Sequence, residues 1–133
     1  MKKILFILMM LFTVTTVNAQ SIATFLAHSY AYANINQYTG RYNWSPWYQC
    51  QVRIIINLNT DVVDIYSRSP QHYKIIGLGQ EGYDNDGGYQ VVYPVVDQDG
   101  DIGSLRLRIE ASGNSQLYID FSNVAWVYNV IRT

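Results

Sequence analysis

From Tyr48 to Leu58 the chain alternates without a break. Tyr48, Cys50, Val52, Ile54, Ile56 and Leu58 fall on one side, and Gln49, Gln51, Arg53, Ile55 and Asn57 on the other. A period of two is the pleat of a β-strand, and it predicts one here. A two-residue turn at Asn59-Thr60 sets Ile56 opposite Val63 and Ile54 opposite Ile65, with Arg53 across from Tyr66 on the reverse face. Apolar then meets apolar, as a correct hairpin register requires.

The same period recurs along the chain. Tyr30 and Tyr32 alternate with small residues, which predicts a strand over about Phe25 to Ala33, followed by a loop from Asn34 to Pro46. Strands are expected at Gln71 to Leu78, at Tyr89 to Val96, where Pro94 implies an edge or a bulge, and at Ser104 to Glu110. Closing a loop over Ala111 to Ser115 pairs Ile109 with Leu117, Leu107 with Ile119 and Leu105 with Phe121. On the other face Arg108 then lies opposite Tyr118 and Arg106 opposite Asp120. A turn at Ser122-Asn123 places Trp126 opposite Ile119 and Tyr128 opposite Leu117. The fold class is all-β: an antiparallel up-and-down meander of seven or eight strands forming a small barrel or a sandwich.

Ahead of this pattern, residues 1–19 have the three parts of a secretory signal: Lys2 and Lys3, an apolar run from Ile4 to about Val14, and the small-residue exit Val17-Asn18-Ala19. The run is short of the roughly 20 residues a spanning helix needs. Residues 20–133 then form a single β domain, secreted or periplasmic and free of the membrane once the signal is removed. Lys2 and Lys3 belong to the nine basic residues that face ten acidic ones, so the mature part carries a net charge of about −3. That balance excludes nucleic acid as an expected partner, because phosphate binding needs a clustered positive surface. Cys50 is the one cysteine and can form no intrachain disulfide; in its strand it reads as a small packed residue.

Candidate chemistry is sparse. His28, His72 and Cys50 cannot build a structural zinc site. Asp97, Asp99 and Asp101 sit at alternate positions as calcium ligands do, but the sixth and twelfth positions of that loop are Ile102 and Arg108 rather than glycine and glutamate. Asp84-Asn85-Asp86 is a second acidic cluster of the kind that hairpin turns ordinarily contain. No metal and no cofactor is expected. No Gly-x-Ser-x-Gly elbow is present, and nothing brings Glu81 and Glu110 together, so no catalytic residue is assigned and the chain reads as a non-enzyme.

Aromatic density points to binding instead. Seven aromatic residues fall between Tyr30 and Tyr48. Tyr42, Trp44, Trp47 and Tyr48 are the candidate ligand-binding residues, since Tyr and Trp offer a large apolar face with a polar handle. The structural alternative, which the pattern slightly favours, is that Trp44, Trp47 and Tyr48 plug the end of the barrel and meet no ligand.

The run from Asp97 to Glu110, with Gly113 to Ile119 and Trp126 to Val130, resembles small signal-bearing proteins of gut bacteria and their phages. The Trp44, Trp47, Cys50 spacing and the segments Ile65-Tyr66-Ser67 and Gln71 to Ile75 are similar too. That resemblance implies kinship and no particular activity. The architecture also resembles the calycin group, the lipocalin-like meander barrels. The lipocalin Gly-x-Trp motif has no counterpart, because Gly40 is followed by Arg41, Tyr42 and Asn43 before Trp44.

Two functional expectations follow. One is an exported binding module that takes a small molecule or glycan on the aromatic loop. The other is a structural or protein-interaction protein, of phage origin on the resemblance above, that uses Tyr- and Arg-rich sheet faces. Mass spectrometry of the exported protein should give Gln20 as its first residue; a retained Met1 would overturn the signal assignment.

Overall fold

A computed structural model describes residues 21–133. The expected signal, residues 1–19, lies outside the described residues. Among the described residues, ten strands form one antiparallel sheet: β1 (Ile22–Ile35), β2 (Tyr42–Trp44), β3 (Tyr48–Asn57), β4 (Val62–Tyr66), β5 (Gln71–Ile75), β6 (Gln80–Tyr83), β7 (Tyr89–Val96), β8 (Ile102–Ile109), β9 (Ser115–Asp120) and β10 (Val124–Arg132). The hydrogen-bonded order β10-β9-β8-β7-β5-β4-β3-β1 closes on itself through β1 and β10, which makes an eight-stranded barrel. β2 adds to the upper part of β1, and β6 to the lower part of β7. A sandwich is thereby excluded. Closure removes the sheet edges that an open meander would expose.

The barrel is filled, not hollow, through most of its length. Ile54, Ile56, Val63, Ile65, Leu105, Leu117 and Ile119 are fully buried in one continuous core with Phe25, Val91 and Val95. Each comes from the inward phase of an alternating strand, which is why the sequence period predicts the core well. The β3–β4 hairpin has the expected register, with Ile56 opposite Val63, Ile54 opposite Ile65 and Arg53 opposite Tyr66. Its turn is fixed by Asn57 Oδ1, which accepts from the backbone N–H groups of Asn59 and Thr60 at 3.0 and 3.2 Å. Asp61 completes it in the left-handed region at φ 58°.

The β9–β10 register is also as expected: Trp126 lies opposite Ile119 and Tyr128 opposite Leu117. The β8–β9 register is not. Leu107 pairs with Leu117, Leu105 with Ile119 and Ile109 with Ser115, a slip of two residues. The loop is tighter than the aligned pattern implied, because Gly113 turns the chain at φ 95° and Glu110 N–H donates to the Asn114 carbonyl at 2.8 Å. A slip of two leaves every side chain on its own face, so the hydrophobic pattern cannot detect it.

β1 is longer than the sequence suggested, because it must pair along both edges: with β3 and β2 on one side and β10 on the other. At His28 the register shifts toward both β3 and β10. Beyond this bulge Tyr30 shares a face with its partners Tyr48 and Tyr128, whereas Ser29 pairs with Asn129 on the outer face. The bulge converts a strand whose lower half offers Ala23, Phe25 and Ala27 to the core into one whose upper half offers tyrosines to the barrel end.

Closely packed strands leave a sharp steric constraint at Gly103. A Cβ on Gly103, in β8, would run into the backbone carbonyl of Asp120 and the ring of Phe121. Gly103→Ala should therefore lower unfolding free energy by about 1–3 kcal/mol, the usual range for overpacking, as read by urea denaturation. An unchanged midpoint would show that β8 and β9 are looser than this spacing requires.

Candidate functional site

The end of the barrel that carries the β2–β3, β4–β5, β7–β8 and β9–β10 connections opens into a cavity of about 660 Å³. Its walls include Tyr30, Tyr73, Trp126 and Tyr128, with Cys50 and Gln71 between them. These residues hold inward positions near strand ends, above the point where aliphatic side chains fill the interior. Tyr30 lies 5.4 Å from Tyr48 and 6.2 Å from Tyr128, ring centre to ring centre, and Tyr48 stacks on Tyr32 at 6.2 Å and 6°. Offset and tilted contacts of this kind each contribute about 0.5–1.5 kcal/mol beyond area burial. The rings thus form a connected rim rather than separate side chains.

The four residues chosen from the sequence divide between two places. Tyr48 belongs to the rim. Tyr42 and Trp44 stack on each other at 5.8 Å on β2, where Trp44 pairs with Ala33 on the outer face of the barrel. Trp47 sits in the connection between β2 and β3. Their exposures are 48% for Tyr42, 42% for Trp44, 50% for Trp47 and 41% for Tyr48, so none is a buried stopper. Trp44 and Trp47 therefore do not fill the barrel: aliphatic side chains do, and of the tract Tyr30 and Tyr48 stand at the rim above them.

Tyr30 and Tyr32 were visible in the aromatic tract, whereas Trp126, Tyr128, Gln71 and Tyr73 were not assigned a site. Strand alternation marks Trp126 and Tyr128 as inward-facing, and inward at the end of a closed barrel means lining its mouth. The missing signal was position along the barrel axis, which periodicity does not carry.

Polar groups in the mouth are ordered. Tyr73 O–H donates to Gln71 Oε1, and Gln71 Nε2 donates to Tyr128 Oη at 3.0 Å. Burial pushes Tyr128 up to about 12 despite the opposing hydrogen bond from Gln71, and burial with the neighbouring Tyr128 and Asp97 pushes Tyr73 higher still. Both phenols stay protonated at neutral pH. Cys50 is half-buried against the core; its Sγ lies 3.6 Å from the Ala27 carbonyl, and burial pushes the thiol up. It contributes to packing and to the cavity wall, with little thiolate character.

The outer face is occupied by its own partners. The slipped register puts Arg106, not Arg108, across from Tyr118, with the guanidinium 4.0 Å from the ring centre. Arg106 also reaches Asp120 at 3.7 Å, so that expected pair forms as a diagonal contact. Arg108 pairs with Gln116 and donates from Nε to Asp84 Oδ2 at 2.6 Å, with Asp86 at 3.6 Å and Glu110 at 3.9 Å. Gln116, Asn129 and Ser29 continue the belt through hydrogen bonds of 3.0 and 2.9 Å.

The acidic loops are built the same way. Asp84 Oδ1 accepts from the N–H groups of Asp86 and Gly88, and Asp97 Oδ1 from those of Asp99 and Asp101, all at 2.8–2.9 Å. Each leading carboxylate thereby closes its own turn. Among the described residues no group of three His, Cys, Asp or Glu side chains converges as a metal site would require.

Compared with protein-family models, curated proteins and solved structures, the chain matches none. The closed antiparallel barrel is compatible with the calycin architecture to which the sequence was likened.

Asp84 links this geometry to pH. The Arg108 hydrogen bond, helped by the Gly88 and Asp86 N–H groups, holds its carboxyl below the ordinary range even though burial opposes it. Its stabilising effect is complete above the unfolded carboxylate value, about 4, and is lost as pH falls through the lower folded value. Asp120 has the opposite sign, because burial raises it more than Arg106 lowers it. Acid titration of thermal stability should therefore be shallower below about pH 4 in Asp84→Asn, while Asp120→Asn should relieve a cost near neutrality. Identical profiles for Asp84→Asn and wild type would refute the pairing.

Proposed function

We propose that this protein is an exported, non-enzymatic β-barrel binding module that takes a small molecule or glycan in its aromatic mouth. One observation carries the reading: the barrel core is filled with aliphatic side chains, yet one end holds a cavity of about 660 Å³ walled by aromatic rings, the half-buried Gln71 amide and polar residues of β3 and the β4–β5 loop. That volume lies within the 300–1,000 Å³ range of ligand sites, and its wall joins aromatic faces to polar groups that can fix a ligand's orientation. A sugar ring fits this chemistry, with its C–H face against a tyrosine or tryptophan and its hydroxyls on the amide and phenol groups.

The site is the rim of Tyr30, Tyr32, Tyr48, Trp126 and Tyr128, flanked by the outer pair Tyr42 and Trp44 and by Trp47. Nucleic acid is not a partner on this reading, given the net negative charge of the mature chain. The resemblance of the sequence to small signal-bearing proteins of gut bacteria and their phages fits a role at the cell exterior or in the periplasm.

The second reading, a protein-interaction surface, is favoured by the stacked Tyr42–Trp44 pair, half-exposed on the short outer strand β2. It draws no support from the arginine face. Arg106 and Arg108 are already committed to Tyr118, Asp120, Asp84 and Glu110.

A Trp44→Phe/Trp47→Phe variant leaves Trp126 as the only indole and hence as a reporter of the mouth. Titration with a panel of mono- and disaccharides should shift its emission, and Tyr48→Ala should weaken the responding ligand about fivefold, the loss of one ring contact. A silent Trp126 across the panel, together with a protein partner that co-purifies in constant ratio and is released by Trp44→Ala, would favour the interaction reading instead.

A further inference from the structure

The hydrogen-bond chain in the mouth has an odd proton. Two phenols and one amide are linked as Tyr73, Gln71, Tyr128. Tyr73 O–H is used on Gln71 Oε1 and Gln71 N–H on Tyr128 Oη, so the Tyr128 proton has no acceptor within the chain. Turning the amide over exchanges the two ends and frees the Tyr73 proton instead. Either way one phenol O–H is left to donate, on a tyrosine that is 3% or 4% exposed and borders the cavity. Both phenol oxygens have Gln71 as a partner, and the spare O–H stands at the cavity wall, where a ligand can supply its acceptor.

A second observation gives the acceptor a sign. Arg68, in the β4–β5 loop, lines the same cavity and is exposed. It makes no ion pair or hydrogen bond among the described residues, whereas Arg106 and Arg108 are both paired. The cavity lining itself contains no carboxylate. Asp97 and Asp101 border a separate cavity of about 350 Å³ that shares Tyr73 and Trp126 with this one, and Asp97 Oδ1 is held by two backbone N–H groups. Spare donor, spare cation and aromatic wall are therefore gathered in one place, with no acidic side chain among them.

We propose that the mouth is selective for a ring-bearing carboxylate: the ring lies against the tyrosine and tryptophan walls, and the carboxylate takes the spare phenol proton and pairs with Arg68. This rests on the binding-module reading and narrows it. A sugar acid and an aryl acid share the chemistry, and a guanidinium suits either because its fork matches a carboxylate.

Calorimetric titration of the full mature chain with two matched pairs tests it: D-glucuronate beside D-glucose, and phenylacetate beside 2-phenylethanol. In one pair or the other the acid should bind about tenfold more tightly than its neutral counterpart, the effect of one charge-assisted contact. Which pair responds identifies the source as sugar or aryl. Arg68→Gln, an exposed loop change that leaves the core intact, should reduce that preference to about twofold or less. The double variant Tyr73→Phe/Tyr128→Phe, which removes both donors, should weaken the acid about tenfold while keeping the wild-type circular dichroism spectrum, since either phenol alone can supply the proton; if it misfolds, Arg68→Gln alone decides the test. Equal affinity for acid and neutral member in both pairs, or a preference that survives Arg68→Gln, overturns the inference. So does absence of heat from both acids. The binding-module reading itself falls only if the neutral saccharide panel also leaves Trp126 unmoved.

Discussion

A closed barrel obliges one strand to satisfy neighbours on both edges with a chain that enters and leaves at its ends, and here that strand is β1. It pairs with β10 along nearly its whole length, with β3 over its lower part and with β2 over its upper part. Fourteen residues long, it cannot stay in phase with both partners as the sheet coils, and the register shift at His28 is where the mismatch is absorbed. The shift has a chemical result. Below it the strand contributes Ala23, Phe25 and Ala27 to an aliphatic core; above it Tyr30 faces Tyr48 and Tyr128, and the interior becomes aromatic and open. The geometry needed to close the barrel is thus also what places the mouth.

Much of this was legible in the sequence, and the limits are physical. Strict alternation from Tyr48 to Leu58, matched against Val63 and Ile65, gave both the hairpin and its register, because only one phase buries both strands. The β8–β9 hairpin defeated the same reasoning. Its slip of two residues keeps Leu105, Leu107, Leu117 and Ile119 inward in either alignment, and the choice rests on the left-handed Gly113 and a short loop hydrogen bond. That error propagated to the outer face. Arg108, expected over Tyr118, instead holds Asp84, so the Asp84-Asn85-Asp86 cluster is tied down by a guanidinium and by its own backbone.

The site was half legible for a related reason. Composition drew attention to the tract around Trp44 and Trp47, and Tyr48 does reach the rim. Yet Tyr42 and Trp44 stand on the opposite face, because β2 follows a loop and pairs with the far end of β1. Much of the inner cavity wall comes from residues distant in sequence from that tract, among them Gln71 and Tyr73 on β5 and Trp126 and Tyr128 on β10. Nothing local marks them, since inward tyrosines read as core. What separates a core tyrosine from a mouth tyrosine is height along the barrel, a property of strand tilt and shear that no single strand encodes.

The contrast between the two faces of β8, β9 and β10 bears on which of them is used. On the outer face every arginine has found a partner within the chain, and Ser29, Asn129, Gln116 and Tyr118 complete one another's hydrogen bonds. Such a belt is finished; a partner docking there would have to break good contacts to make new ones, with little net gain. The mouth is the opposite case. Its amide is oriented, its phenols stay protonated, and its polar chain still ends on a proton with nowhere to go inside the protein. A donor held in place at a cavity wall, with no acceptor among its protein neighbours, is ready to bind an acceptor that enters the cavity. Where a small protein has satisfied its polar groups on one surface and left them ordered and unfinished on another, the unfinished surface is the place to seek its ligand.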